Sequence, residues 1–178
     1  MGGKSSGVFI SLNCGPGSSD NKNNILKNLN VVSKKINIKS KKIFLLNQIH
    51  GDKFFFIDKN LKLKNNKFDG DALITNKRNI PIAVLTADCA PILIYDKNKK
   101  MVAAIHAGWK GAYKDIIKKV TRFMIKKGCS PNNITAVIGP CISVNNYQVK
   151  QDFIKRFIKK DDKNKKFFKK KGIKNYFN

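Results

Sequence analysis

ILIYDKNKKMVAAIHAGWKGAYKDIIKKVTRFMIKKG, Ile92–Gly128, contains every kind of element the chain is built from. Ile92 to Tyr95 and Met101 to His106 are apolar runs of strand length. The polar Asp96–Lys100 segment between them reads as the turn of a hairpin joining two buried strands. After His106 the period changes. Ala112, Ile116, Val120, Phe123 and Met124 fall on one helical face, and Gly128 ends that segment. Strand, turn, strand and helix within 37 residues predict sheet and helix packed on each other, an α+β or mixed α/β fold.

Working outward, the same signals recur. Ile43 to Ile49, Phe54 to Ile57, Ala72 to Thr75 and Ile80 to Thr86 are apolar runs bounded mostly by Gly, Asp, Asn or Pro, and each is predicted as a strand. Ile134 to Ile138 is another. Asp20 is placed to cap a helix over residues 21–36, with Ile25, Leu29, Val32 and Ile36 at helical spacing. Gln148 to Lys159 predicts a short amphipathic helix. The last twenty residues are dense in Lys and suggest no packed role. No repeat and no domain boundary is visible, so residues 1–178 are read as one domain with a sizeable core.

The formal charge of +26 invites a nucleic-acid reading, but its make-up argues against one. Only Arg78, Arg122 and Arg156 among the 37 basic residues are Arg, and there is no Glu. Bidentate base and phosphate contacts rely on Arg. The lysines are spread along the chain apart from one block, Lys159 to Lys174, and are read as a solvated surface. Salt-sensitive adhesion to polyanions is expected, a specific nucleic-acid partner is not. No apolar run is long enough to span a bilayer, and the start has no signal-peptide layout, so a cytoplasmic protein without a membrane partner is expected. Gly2 and Ser6 fit the loose myristoylation pattern, which is read as chance in a Gly/Ser-rich start. Cys14, Cys89, Cys129 and Cys141 form no CxxC pair and are expected to be reduced thiols.

The chain has two histidines. His50 follows the run Ile43–Ile49, His106 closes Met101–Ile105, and Cys89 lies just past Pro81–Thr86. Each is therefore expected at a strand exit, where a sheet presents side chains on rigid supports. One thiolate and two imidazoles make three ligands for zinc and leave a fourth position for water or substrate. Such an ion lowers the pKa of bound water and polarises a leaving group. Copper suits the same donors. The spacing by itself leaves a second reading open, in which a buried Cys and two packed His carry no metal.

The words around these residues narrow the choice. NQIHG at Asn47–Gly51, DGDALIT at Asp69–Thr75, LTADCAPILIYD at Leu85–Asp96, AAIHAGWKGA at Ala103–Ala112 and IGPCISVNNYQV at Ile138–Val149 occur in this order. Together with GVFISLNCG at Gly7–Gly15 they resemble the YfiH family of laccase-domain proteins, also described as multicopper polyphenol oxidoreductases. That family includes purine nucleoside phosphorylases. The resemblance covers most of residues 2–150.

It implies a four-layer α/β/β/α sandwich and a metal-binding catalytic site at His50, Cys89 and His106. It also implies phosphorolysis of adenosine, inosine, guanosine or methylthioadenosine, and deamination of adenosine. With no Glu available, Asp88 and Asp71 are the carboxylates that could move a proton or orient a ligand. Asp88 is favoured for orienting, and Asp71 is placed with the substrate. Lys110 stands where the family commonly has Arg and is expected to meet phosphate, with Ser11 and Asn13 as further substrate contacts. Trp109 is read as packing under the His106 loop, and Cys141 as shaping a turn. Purine nucleoside and phosphate are the expected partners, with a monomer or weak homo-oligomer. Relative to the family the chain starts late and stops early, so parts of both ends are expected to be missing. Multicopper oxygen chemistry would need many more histidines than two. Two other functions stay open: a cysteine hydrolase acting on peptidoglycan precursors, with Cys89 as nucleophile and His106 as base, and a basic nucleic-acid-binding module.

Overall fold

The structure, a computed structural model, describes residues 2–37, 43–58 and 68–177. It is α+β. Helix α1 (Lys22–Lys35) precedes strands β1 (Phe54–Ile57), β2 (Ala72–Thr75), β3 (Ala90–Asp96) and β4 (Met101–Ala107). Helices α2 (Trp109–Tyr113) and α3 (Ile116–Lys126) follow, then β5 (Ile134–Ile138) and β6 (Gln148–Val149). Helix α4 (Gln151–Lys160) and strands β7 (Phe168–Lys171) and β8 (Lys174–Phe177) complete the chain. Among the described residues two sheets form, a five-stranded one in the order β1-β2-β4-β3-β5 and a three-stranded one in the order β6-β8-β7.

The β3–β4 hairpin lies at the centre, with Asp96 opposite Met101 as the turn segment predicts. Asp96 is fully buried and shapes that turn. Its carboxylate accepts the backbone N–H groups of Asn98 and Lys99 at 3.0 and 2.7 Å and that of Ser130 at 3.1 Å. These N–H groups, Lys99 foremost, hold its pKa below the usual carboxylate range against the opposing effect of burial.

Strand alternation decides which side chains meet. Ala72, Ile74, Ile92, Ile94, Met101, Ala103 and Ile105 share one face of the large sheet and pack under Ile116, Val120 and Met124 of α3. The opposite face puts Leu73 against Leu46 and Ile57. His106 and Asp71 belong to this second face by the same alternation. Both strands of the hairpin are expected to be buried, but only β4 is buried nearly throughout. In β3, Leu93 and Tyr95 are exposed because α3 covers one face of that strand alone.

Several other expectations change. The helix predicted through Ala112–Met124 is broken at Asp115, whose left-handed backbone (φ 61°) separates α2 from α3. Gly128 ends α3 with φ 91°, a conformation that suits glycine. The runs Ile43–Ile49 and Ile80–Thr86 are not regular strands. They touch through one parallel bridge, Phe44 to Ile82, a second bridge joins Asn47 to Asp69, and their apolar side chains cover β2. Helix α1 is capped by Asn21, which accepts the Asn23 N–H at 2.8 Å, and not by Asp20. Its buried face includes Asn28, and Ile36 is exposed. The predicted helix Gln148–Lys159 starts at Gln151, after the short strand β6.

The Lys-dense tail does pack. Strands β7 and β8 form a hairpin whose Phe168 and Phe177 lie 5.2 Å apart by ring centroid. These rings meet Phe153 and Phe157 of α4. The apolar residues interleaved among the lysines supply this second core, while the lysines point outward.

Candidate metal-centred active site

His50, Cys89 and His106 converge. One donor atom from each lies within 4.8 Å of the other two. Ideal zinc bonds, about 2.3 Å to sulfur and about 2.0–2.1 Å to nitrogen, separate tetrahedral ligand atoms by roughly 3.4–3.6 Å. Closing on an ion therefore takes an inward shift of about 1 Å. The imidazole rings of His50 and His106 meet edge to face with centroids 4.7 Å apart.

Three different local structures deliver these side chains. His106 is within β4, 2% exposed, and paired in register with Pro91 of β3. Cys89 sits immediately before β3, half-buried. His50 is on the loop ahead of β1, exposed, with φ 55°. Strand exits therefore describe His106 and Cys89 loosely, and His50 not at all.

Asp71 holds the arrangement together. Fully buried beside β2, it places Oδ1 at 2.8 Å from His106 Nδ1. The same oxygen accepts the His50 N–H at 2.9 Å, and Oδ2 accepts the Gly51 N–H at 2.6 Å. A carboxylate already accepting two backbone N–H groups takes the imidazole proton on Nδ1, which leaves Nε2 of His106 to face the cluster. The two bonds to residues 50 and 51 fix the left-handed turn that brings His50 in. The orienting contact expected of Asp88 is made here by Asp71, which is fully buried with both oxygens engaged by His106, His50 and Gly51.

Glycines make room. A Cβ on Gly108 would stand 3.1 Å from Cys89 Sγ and 3.1 Å from His50 Cδ2. A Cβ on Gly111 would come within 2.8 Å of the Gly51 carbonyl oxygen. The HAGWKG word therefore lets α2 approach the ligand loops. Asp52 continues the support, ion-paired to Lys119 of α3 and 3.8 Å from Lys114. The Lys119 hydrogen bond is the main reason its carboxyl pKa is lowered.

Burial pushes the Cys89 thiol above its ordinary pKa, and the charges of Asp88 and then Asp71 add to the effect. Without a cation nearby this sulfur stays protonated. A bound metal reverses that balance and makes it a thiolate. The donor set therefore suits an ion better than it suits an unassisted nucleophile.

Asp88 is exposed beside Cys89, and its side chain makes no hydrogen bond among the described residues. Its carbonyl accepts the Ile142 N–H at 2.9 Å, which ties the segment after β5 to the site. Tyr147 follows on that segment. Burial raises its pKa most, and the fields of Cys89 and Asp88 add to it. No feature of the sequence pattern singled out Tyr147. Trp109, read from the sequence as packing under the His106 loop, packs on α4, its ring 5.1 Å from Phe153. Lys110 is exposed on α2 with Nζ 5.7 Å from the Trp109 ring centre.

Ser11 and Asn13 are engaged elsewhere. Asn13 donates to Ser18 and Asp20 at 2.9 and 3.0 Å and accepts the Gly15 N–H at 3.0 Å. Ser11 exchanges backbone hydrogen bonds with Ser5 at 3.2 Å. Both organise the N-terminal loop, which buried Asn28 anchors to α1 through Lys4, Ser5 and Asn13. Cys141 is exposed, and Cys129 is buried 3.8 Å from the Met101 sulfur.

Known proteins share the sequence pattern and the fold. The profile of the family described as multi-copper polyphenol oxidoreductase laccase matches residues 1–178. A purine nucleoside phosphorylase of Rickettsia conorii is 38% identical over 126 residues, 71% of this chain and 50% of that protein. A purine nucleoside phosphorylase of Bacteroides thetaiotaomicron is 30% identical over 166 residues, 89% of this chain and 62% of that protein. The solved structure of Bacillus licheniformis YfiH superposes with a TM-score of 0.87 at 27% identity, covering 99% of this chain and 69% of that one. A Neisseria meningitidis protein gives 0.86 at 28% identity with the same coverages. The chain spans about half the length of the Rickettsia relatives it matches. Matched along its whole length by the profile and in fold by YfiH, the chain belongs to the multi-copper polyphenol oxidoreductase laccase family.

Proposed function

We propose that this chain carries the catalytic centre of a metal-dependent purine nucleoside phosphorylase. The substrates are adenosine, inosine, guanosine or methylthioadenosine, and adenosine deamination is a second reaction of the same centre. The observation that carries the reading is the convergence of His50, Cys89 and His106 with Asp71 behind them. The names of the relatives supply the substrate class. Zinc suits the donors, and copper is compatible.

When bound, the ion supplies Lewis acidity next to the reacting bond. The protein's own groups do the rest. Asp71 keeps the proton of His106 on Nδ1 and holds His50 in its turn. Asp88, exposed and without a hydrogen-bond partner among the described residues, is the carboxylate able to exchange a proton with substrate. In phosphorolysis a phosphate oxygen bonds to C1′ of the ribose while the C1′–N9 bond breaks, and the electron pair leaves with the purine, which is protonated on the ring. In deamination water adds at C6 and ammonia leaves, so Asp88 takes a proton from the incoming water and returns one to the leaving nitrogen. Lys110 contributes a point charge for the anionic partner.

A second reading has one observation in its favour. Asp71, His106 and Cys89 also stand in the order of an acid–base–nucleophile triad, as a cysteine hydrolase of peptidoglycan precursors requires. The upward-shifted thiol and the third donor, His50, favour the metal.

The test is metal analysis of the purified chain alongside incubation with adenosine and phosphate, followed by chromatography. Adenine, ribose 1-phosphate and inosine are expected with about one zinc per chain, and a chelator should stop their formation. Full metal loading with neither adenine nor inosine released refutes the substrate assignment. Activity that survives the chelator and is lost to thiol alkylation favours the hydrolase.

A further inference from the structure

Three donors have three separations, and two of them are fixed by contacts already described. Cys89 and His106 are held by strand register. Cys89 directly precedes β3, where Ala90 lies opposite Ala107 and Pro91 opposite His106. His50 and His106 are held by Asp71, whose Oδ1 bonds the His50 N–H and the His106 ring. The third pair, His50 and Cys89, sits on two irregular loops. Among the described residues no backbone hydrogen bond joins residues 47–51 to residues 85–89.

The two stretches do run side by side once. Phe44 N donates to the Pro81 carbonyl at 2.8 Å, and Ala83 N donates to the Phe44 carbonyl at 3.0 Å. Beyond that bridge the first stretch turns to the segment ahead of β2. Asn47 N donates to the Phe68 carbonyl and Gly70 N to the Asn47 carbonyl, both at 3.0 Å, and Asn47 Nδ2 donates to Asp69 Oδ1 at 2.6 Å. Leu85 therefore meets a side chain where a strand would offer a backbone. Gln48 Nε2 donates to the Leu85 carbonyl at 2.7 Å, and Gln48 Oε1 accepts the Leu85 N–H at 2.7 Å.

One carboxamide thus pairs both polar groups of one residue, as a neighbouring peptide unit would. The Leu85 N–H can only donate and its carbonyl can only accept, so the amide has a single orientation. The pairing also selects the residue type. Glu lacks the donor, Met lacks both groups, and Asn is one methylene shorter. Gln48 and Leu85 are half-buried, so water is a poor substitute for either bond. The clamp lies two residues before His50 and four before Cys89. Chain segments of those lengths reach no more than about 7 and 14 Å, so a fixed Gln48–Leu85 pair leaves His50 little room to swing away from Cys89.

We propose that Gln48 is a positioning residue for the metal centre. Through Leu85 it sets the separation of His50 from Cys89, the pair that neither the sheet nor Asp71 fixes. The role rests on the metal-centre reading.

The experiment measures zinc affinity by competition with a chromophoric chelator and, after cobalt loading, the thiolate-to-metal charge-transfer band. Wild type is compared with Gln48→Met, Gln48→Glu and Val120→Ala. Val120 is fully buried in α3 under the opposite face of the sheet, so its truncation lowers stability without touching the loops. Thermal melts accompany each variant, and hydrogen exchange of the Leu85 N–H is followed in metal-free wild type. That N–H should be protected before any metal is added. Gln48→Met should weaken zinc about tenfold or more and diminish the cobalt band. Gln48→Glu should also weaken zinc, because its second oxygen faces the Leu85 carbonyl. Val120→Ala should melt earlier yet keep the affinity and band of wild type.

A Leu85 N–H that exchanges as in an unfolded chain, or a zinc loss in Val120→Ala equal to that in Gln48→Met, refutes the positioning role. So does zinc affinity in Gln48→Met within about twofold of wild type, a result that leaves the metal centre standing. Should Gln48→Met fail to fold, Gln48→Glu decides by the same criterion. Wild type that takes up neither zinc nor cobalt would remove the metal centre itself, and the role of Gln48 with it. Zinc binding that depends on Gln48 without purine release would leave the role standing and overturn the nucleoside assignment.

Discussion

Replacing Asp71 by Asn exchanges one buried oxygen for an NH2 group and separates structural support from metal tuning. Wild-type Asp71 accepts three hydrogen bonds, from His106 Nδ1 at 2.8 Å, His50 N at 2.9 Å and Gly51 N at 2.6 Å. An Asn side chain has acceptor capacity on one side only. With its oxygen toward His106 and His50, its NH2 faces the Gly51 N–H, so one buried donor is stranded at a cost of about 1–3 kcal/mol. In the flipped pose the NH2 faces His106 and selects the other tautomer, which puts a proton on the nitrogen needed by the metal. Either pose removes the carboxylate that holds the His106 proton on Nδ1. The loss in zinc affinity should be about 10–100-fold, the range typical of outer-shell partners. Urea denaturation of the metal-free chain measures the first quantity and competition with a chromophoric chelator the second. Asp88→Asn is the control and should change neither by much. Zinc affinity in Asp71→Asn within twofold of wild type, or a larger loss in Asp88→Asn, would refute the role given to Asp71.

Other outcomes follow from the same geometry. Gly108→Ala puts a methyl 3.1 Å from both Cys89 Sγ and His50 Cδ2, so zinc affinity should fall while the melting temperature moves little, as the chelator competition and a thermal melt will show. Zinc binding at neutral pH should release about one proton, because burial, Asp88 and Asp71 keep the free Cys89 thiol protonated, and calorimetry in buffers of different ionisation enthalpy counts it. Ile105→Ala empties a fully buried position between β2, β3 and α3 and should cost about 2–5 kcal/mol in urea titrations. Asp96 has a depressed carboxyl pKa in the folded chain, so its contribution to stability is complete above the unfolded value near 4 and is lost as pH falls through the lower folded value. Asp96→Asn should therefore melt earlier at neutral pH and show a shallower loss of stability on acidification.

Local patterns were legible where burial is one-sided and periodic. The Ile92–Gly128 stretch revealed a hairpin and a helix because alternation and the 3.6-residue period survive in β4 and α3. It did not reveal the break at Asp115, a backbone choice made as α2 closes onto Gly51 and α3 onto the sheet. Ile43–Ile49 and Ile80–Thr86 look like strands because they are apolar, yet their partners are each other and the back of β2, contacts remote in sequence. The Lys-dense tail hid its second core, since Phe168 and Phe177 become meaningful only once α4 presents Phe153 and Phe157 to them.

For the site, the amino-acid sequence by itself singled out the three side chains that the fold brings together as possible metal ligands. The chain's two histidines and the Cys89 of LTADCAPILIYD stand in ordered words, and the chemistry of those atoms is intrinsic. Which carboxylate stands behind them was decided by tertiary structure alone. Asp88 is adjacent to Cys89 in the chain but exposed, while Asp71, 35 residues from His106, is brought against it by the β2–β4 pairing. Hydrogen bonds of 3 Å depend on distance in space, and the sheet register sets that distance.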